Sequence, residues 1–522
     1  MTQSSDRAWP PWDRSGVPVT LPALREWTEC GESFTFRPGG RVVMAAADAP
    51  VLAATAAVFV EDLGALTGGA VEVAVDGEPP RPGDIVLRLG AVPVPASASG
   101  SVVGSAPAFV PGSAPAFAVG EAYRVRVAPW VTIEAPAAAG VFNGTRSVLQ
   151  WLRRGWTIRG GTALDWPSYP ERGLMLDVGR KHFSLPWLRE RIRELGDLKL
   201  NHLHLHLSDA HGFRLESDTH PEIVSSQHYS KRQIGDLVAY AARRHVQVVP
   251  EIDFPGHMDA ILAAHPDLLL VGRTGAVRAG SVDLSKPAAY ALMGDLITEF
   301  AALFPGTYWH LGADEYVLDY DEYPQLNEYA VARHGPGATG RDTYHAFVNW
   351  ANELVRAAGR TTRIWNDGLK PGATVAVDAD VVVEHWSANG PGGFPWTGQA
   401  LTPGQLAAAG HRVHNAAFTP TYYVTGGTVG SFNVPAETMY DAWDPTIFVD
   451  GSRLADHLGA KLHVWCDDPE AQTEAQIAAE IADRLQVMAQ LTWGSPRPPS
   501  YLRWRCAPDG PRMAHERGRE VR

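Results

Sequence analysis

The stretch ERGLMLDVGRKHFSLPWLRERIRELGDLKLNHLHLHLSDAHG, residues 171–212, holds two short apolar runs on either side of a segment with helical periodicity. The first run, 174–178, reads as a buried strand. Residues 185–198 repeat apolar positions at 3.6-residue spacing and read as a helix, and 202–207 reads as a second strand. Strand, helix, strand at this separation is the crossover unit of a parallel sheet.

The same alternation continues downstream. A helix at 231–244 precedes a strand at 246–252; a helix at 287–303 precedes a strand at 307–311; a helix at 341–358 precedes a strand at 361–365. Further strands are expected at 381–385, 411–416 and 462–465, with a last helix at 473–492. Eight strands alternating with helices predict an α/β fold, a (β/α)8 TIM barrel, over residues 169–494. A doubly wound open sheet is the alternative, disfavoured because no Gly-rich fingerprint follows an early strand. Upstream, residues 17–168 predict a small α+β domain. Its strands fall at 41–46, 71–75, 84–89, 123–127 and 130–135, with helices at 50–66 and 140–152. Residues 91–120, rich in Ala, Ser, Pro, Val and Gly, read as a flexible insertion. Residues 1–16 read as a loose leader and 495–522 as a tail.

Bulk composition narrows the function classes. The 522 residues are 45% hydrophobic and 20% charged, ordinary for a globular protein. A net charge of −13 argues against nucleic acid or an anionic membrane as partner. No run of about 18 apolar residues is evident, so no membrane crossing is expected. Cys30, Cys466 and Cys506 are too scattered for a metal motif or a disulfide framework. The first residues lack a basic start followed by an apolar run, so a cytoplasmic protein is expected, with a trimmed secreted form left open. No cofactor is implied, and a homodimer is allowed.

In a TIM barrel the active site lies at the carboxyl ends of the strands. Polar and aromatic residues collect at those ends here: Asp177; Ser208-Asp209-Ala210-His211; Asp253-Phe254-Pro255-Gly256-His257; Asp314-Glu315; Trp365-Asn366-Asp367; His385-Trp386; Tyr422-Tyr423; and Trp465-Cys466-Asp467. Asp314 and Glu315 are neighbours, so regular strand geometry would send them to opposite faces. They reach one cleft only if the backbone turns at the strand end. Two carboxyl groups in separate environments suit acid/base chemistry at a sugar centre. His202, His204 and His206 share one face of their strand. A metal-ligand reading competes with interior hydrogen bonding, and their spread along the whole strand favours the latter.

These motifs resemble the β-N-acetylhexosaminidases of glycoside hydrolase family 20. The resemblance rests on Arg172-Gly-Leu-Met-Leu-Asp177-Val-Gly-Arg-Lys-His-Phe183, on Asn201 through Arg214, on Pro250-Glu-Ile-Asp253-Phe-Pro-Gly-His257 and on His310-Leu-Gly-Ala-Asp314-Glu315. It implies cleavage of terminal β-linked N-acetylhexosamine with retention, using the substrate's own acetamido group as nucleophile. By that resemblance Glu315 is the acid/base, Asp314 polarises the acetamido group, and Tyr422 donates to its oxygen, with Tyr423 competing for that role. Trp365, Trp386 and Trp465 would wall the pocket. Arg172 would hold the sugar 3- and 4-hydroxyls, with Asp467 on the far side. Asp209, Asp253 and His257 would orient Glu315.

The sequence also departs from the family pattern. Asp467 stands where a Glu is usual, and Val424 where an Asp or Asn is. Ala210, His211 and Phe213 replace the usual Asp, Gln and Trp, and Ala313 replaces a Gly. The choice between N-acetylglucosamine and N-acetylgalactosamine is therefore open. Three alternatives accompany the main reading. They are a lacto-N-biosidase-like enzyme releasing a disaccharide, against which Arg172 argues; a non-hydrolytic carbohydrate-binding protein; and a metal-dependent hydrolase built on the strand histidines.

Overall fold

The computed structural model describes residues 17–75, 79–95, 116–317, 319–387, 400–427 and 432–506. Eight parallel strands close into a barrel. They are β1 (Glu171–Asp177), β2 (His202–His206), β3 (Gln247–Phe254), β4 (Tyr308–Gly312), β5 (Thr361–Trp365), β6 (Val382–His385), β7 (Val413–Asn415) and β8 (Gly459–Trp465). Closure is direct: β8 pairs with β1 from Glu171↔Gly459 to Leu176↔Val464. All eight expected strands are present, most within one to three residues of their expected ends. A short extra strand, Tyr422–Val424, lies parallel to β8 and carries the two tyrosines to the barrel mouth.

Local chemistry starts the outer helices. The Ser184 hydroxyl accepts from the N–H of Trp187 at the head of helix Leu185–Asp197. Ser230 with Gln233, and Thr473 with Gln476, form capping boxes. Gly494 ends helix Glu474–Trp493 in the left-handed region that glycine adopts without a Cβ clash.

The barrel interior is unlike the usual filling of branched aliphatics. A chain of buried charges runs its length. Arg363 bridges Glu171 (2.8 Å) and Glu384 (2.7 Å), and Lys461 bonds Glu384 (2.7 Å) and His204 Nδ1 (3.1 Å). Glu251 Oε2 lies 2.9 Å from His204 Nε2 and 2.7 Å from His206 Nδ1, and His206 Nε2 lies 2.8 Å from Asp209. Each charge has an opposite neighbour, as deep burial demands. The leucines alternating with these histidines, Leu203 and Leu205, pack outward in the aliphatic layer beneath the helices.

The preceding domain is a seven-stranded mixed sheet. Its order is Glu26–Glu29, Gly161–Asp165, Tyr123–Val127, Val131–Ala135, Ile85–Leu89, Arg41–Met44, Glu72–Val75. Strand Trp130 onward begins at Val131, and the flanking strands Glu26–Glu29 and Gly161–Asp165 add to those expected. Helix Ala49–Thr67 has the length and mean hydropathy, 1.5, of a membrane-crossing helix, although Glu61 and Asp62 interrupt its apolar run. Its Leu52, Ala56, Phe59 and Leu63 are buried in the core of the small domain.

The expected leader lies outside the described residues, as do residues 96–115 of the expected insertion and 507–522 of the tail. The insertion's last residues are not a loop: Ala116–Glu121 is a helix. Nor is the described part of the tail unstructured, because Tyr501–Cys506 is helical and Trp504 packs on Tyr440.

Candidate active site

The pocket at the carboxyl ends of the strands encloses about 280 Å³ and is lined by Arg180, Asp314, Glu315, the three tryptophans, Tyr422 and Asp467 among others. A larger cavity, about 390 Å³, lies at the opposite end of the barrel, against the small domain. Its one carboxylate, Glu121, is tied to Arg172 and Asn201, so no free acid pair faces it.

The carboxylate pair reaches the pocket by a backbone turn. Gly312, Ala313 and Glu315 have φ of 72°, 71° and 51°. The left-handed region costs a non-glycine residue about 1–2 kcal/mol, a cost sustained by the surrounding bonds. Ala313 N–H donates to Asp253 Oδ1 (3.1 Å), the Ala313 carbonyl accepts from Tyr344 O–H (2.6 Å), and Glu315 N–H donates to Asp367 Oδ2 (2.8 Å). Departure from strand geometry lets consecutive residues share one cleft.

His257, also left-handed at φ 52°, sits among three acids. Its Nδ1 is 3.5 Å from Asp209, and its Nε2 is 3.4 Å from both Asp314 and Glu315. Burial opposes charge on the imidazole, but Asp209 and then Asp314 outweigh it and hold His257 well above the ordinary range. Burial would likewise raise Asp314, and the His257 charge prevails to keep it low. Asp314 is thus an anion, with Oδ2 3.4 Å from His257 Nε2 and a side-chain hydrogen bond from Asp253. Asp253 follows the reverse logic. Burial first, and Asp314 second, push it well above the usual carboxylate range, so it stays protonated beside its ionised neighbour. Asp253 therefore buttresses Asp314 and the turn rather than Glu315, the partner expected from the sequence.

Two of the three wall tryptophans are held by their indole nitrogens. Trp365, almost wholly buried, donates to Glu251 Oε1 (2.8 Å), and Trp386 donates to Asp367 Oδ1 (3.0 Å). Trp465 lies 6.0 Å from Trp365 and 5.8 Å from Tyr422, ring centre to ring centre. Tyr422 faces the pocket, and burial, then Asp314, raise its phenol well above its ordinary value, so it remains an O–H donor. Tyr423 points the other way, as the next residue of a strand must, and donates to Gln472 (2.7 Å).

Arg172 is not in this pocket. It is the second residue of β1, at the amino end, roughly 17 Å of strand away from Asp177. Its guanidinium binds Glu121, the carbonyls of Tyr169 and Lys199, and lies over the ring of Trp493. It fastens the small domain to the barrel floor.

The arginine at the mouth is Arg180, a residue absent from the site expected from the sequence. It bonds Asp177 (2.9 Å) and Asp209 (2.8 Å), lies over the Trp465 ring, and comes within 3.8 Å of half-exposed Asp467. Its signal was available: it stands three residues beyond β1, in the loop where barrel sites are built, whereas Arg172 precedes the strand core. Asp367 is the other omission. Burial, then Asp314, raise it to about 7.

The strand histidines sit in the barrel interior, where His204 and His206 share Glu251 Oε2. His202 Nδ1 is 2.7 Å from Asn201 Oδ1, and the Lys461 ammonium is 3.1 Å from His204 Nδ1, the nitrogen opposite the one that meets Glu251. His204, Glu251 and His310 do converge, but Lys461 and Arg363 already supply the compensating charge in that layer.

A carboxylate pair in a tryptophan-walled cup at the mouth of a TIM barrel defines a glycosidase-like class of site. Comparison with known proteins agrees. Residues 169–496 match the Glycosyl hydrolase family 20 catalytic domain, and residues 17–166 match domain 2 of that family. The chain belongs to glycoside hydrolase family 20. It is 30% identical over 495 residues to a lacto-N-biosidase of Bifidobacterium bifidum, covering 92% of this chain but 40% of that protein. It is 27% identical over 504 residues to a β-N-acetylhexosaminidase of Cellulomonas fimi, covering 92% of this chain and 90% of that one. A mutant Streptomyces plicatus β-hexosaminidase solved with its product GlcNAc superposes with a TM-score of 0.70 at 25% identity, over 94% of this chain and 93% of that one.

Proposed function

We propose that this protein is an exo-acting β-N-acetylhexosaminidase that works with retention through the substrate's acetamido group. The observation that carries the reading is a buried, ionised Asp314 next to Glu315 in the tryptophan-walled pocket. A carboxylate so placed suits an acetamido N–H that becomes positive during reaction. The acetamido oxygen attacks the anomeric carbon as the glycosidic C–O bond breaks, and Glu315 delivers its proton to the departing oxygen. Tyr422 O–H steadies the acetamido oxygen, and Asp314 stabilises the oxazolinium cation. Water then adds to the anomeric carbon, giving its proton to Glu315 and reopening the ring. Holding the internal nucleophile in the tryptophan cup supplies effective molarity.

Hydrolysis of the p-nitrophenyl β-glycosides of N-acetylglucosamine, N-acetylgalactosamine and glucose tests this. Turnover confined to the acetamido sugars, and reduced about 10²–10⁴-fold in Glu315→Gln, is expected. Equal turnover of the glucoside would overturn the mechanism.

Release of a disaccharide is the second reading. Arg172, remote from the pocket, does not close off a second sugar, and half-exposed Asp467 beside Arg180 offers polar groups to a second ring. The relative from Bifidobacterium bifidum bears the name of such an activity. Preference for the p-nitrophenyl glycoside of lacto-N-biose over that of N-acetylglucosamine would select this reading.

A further inference from the structure

Away from the pocket, two His-Pro dipeptides adopt nearly the same shape. His220 (φ −134°, ψ 64°) and His265 (φ −126°, ψ 57°) each lead into a three-residue 3-10 turn opened by proline. The turns bring both imidazoles to one carboxylate oxygen. Glu222 Oε1 is 2.9 Å from His220 Nδ1 and 3.0 Å from His265 Nε2. The far nitrogen of His220, Nε2, faces Asp295 Oδ2 at 3.3 Å, on helix Pro287–Ala301. The two rings stand at 80° to each other.

We infer that His220, Glu222 and His265 form a surface site for a divalent transition-metal ion of the zinc class. Two imidazoles and a carboxylate are the donor set such ions prefer, with a water completing a tetrahedron. The three donor atoms lie within 4.8 Å of one another. Ligands at about 2.0–2.2 Å from a tetrahedral ion stand roughly 3.3–3.5 Å apart, so the nitrogens need to open from Glu222 by a few tenths of an ångström. Glu222 is half-exposed on a short turn and free to do so. Asp295 supplies the outer carboxylate that orients a metal-bound imidazole and sets its tautomer. No lysine or arginine pairs with the three residues among those described, in contrast to the interior histidines. The ion ties the segment after β2, which carries Asp209, to the segment after β3, which carries His257.

The test uses untagged full-length protein and Zn2+ or Co2+ alone. One equivalent of Zn2+ by calorimetry, a tetrahedral Co2+ absorption band and a higher Tm with Zn2+ are expected. His265→Ala is expected to abolish the band and weaken Zn2+ binding at least tenfold while retaining glycoside hydrolysis. Asp295→Asn is expected to keep the band and weaken binding about 10-fold or more. Absence of stoichiometric binding, or binding whose affinity His265→Ala leaves unchanged, would overturn the inference.

Discussion

Asp367 joins Glu315 to Trp386: one carboxyl oxygen accepts the Glu315 backbone N–H at 2.8 Å and the other accepts the Trp386 indole N–H at 3.0 Å. The catalytic turn and the pocket wall therefore share one side chain. Asn has a single carbonyl, so Asp367→Asn leaves one buried donor unpaired, at about 1–3 kcal/mol. A loss of roughly 10- to 100-fold in kcat/KM on the acetamido glycoside is expected from that misplacement, measured by steady-state kinetics.

The same residue makes stability pH-dependent. Its carboxyl is raised from 3.8 to about 7, burial first and Asp314 second. A raised carboxyl stabilises the fold fully below its unfolded pKa, and that contribution is lost as pH rises through the folded value. Between pH 5 and 8 the Tm of the wild type should fall more steeply than that of Asp367→Asn. Thermal denaturation at several pH values checks this, and parallel curves would refute it.

Asp314→Asn replaces with a neutral amide the anion that the proposed mechanism sets against the acetamido nitrogen. A fall of about 10²–10³ in kcat, with a smaller change in KM, is expected, as for loss of a preorganised electrostatic partner. Tyr422→Phe should act in the same direction and Tyr423→Phe should not, because the Tyr423 hydroxyl is spent on Gln472.

Two arginines separate binding from architecture. Arg180→Lys keeps the charge but loses the fork at the pocket mouth, and KM should rise roughly 10- to 100-fold. Arg172→Met strands Glu121 and should cost about 3–5 kcal/mol of stability with KM unchanged in the folded protein. Denaturant melts and kinetics on both variants distinguish the two roles.

Gly312→Ala tests the turn itself. A Cβ there would fall 1.8 Å from Asp253 Oδ1, at φ +72°. Destabilisation above the 1–2 kcal/mol of left-handed strain alone, together with loss of hydrolysis, is the expected result.

Periodicity alone determined much of this protein. Strands with buried aliphatic alternation and helices with serine or threonine caps are local patterns, so all eight barrel strands were legible, as was the residue chemistry at their carboxyl ends. The departures arise where local patterns are silent. Arg172 and Arg180 bracket one strand, and position after β1 was a legible signal for Arg180; the partner of Arg172, Glu121 at the barrel floor, is set only by the closed barrel packing on the small domain. Asp253 was legible as a neighbour of the acid pair, but its choice of Asp314 over Glu315 depends on the left-handed turn through Gly312 and Ala313. Which face of the apolar helix Ala49–Thr67 is buried, that of Leu52, Ala56, Phe59 and Leu63, is set by the sheet it packs on. Motif and period are properties of the chain, whereas the partner of a charge is decided by which distant segment the closed barrel brings within 3 or 4 Å of it.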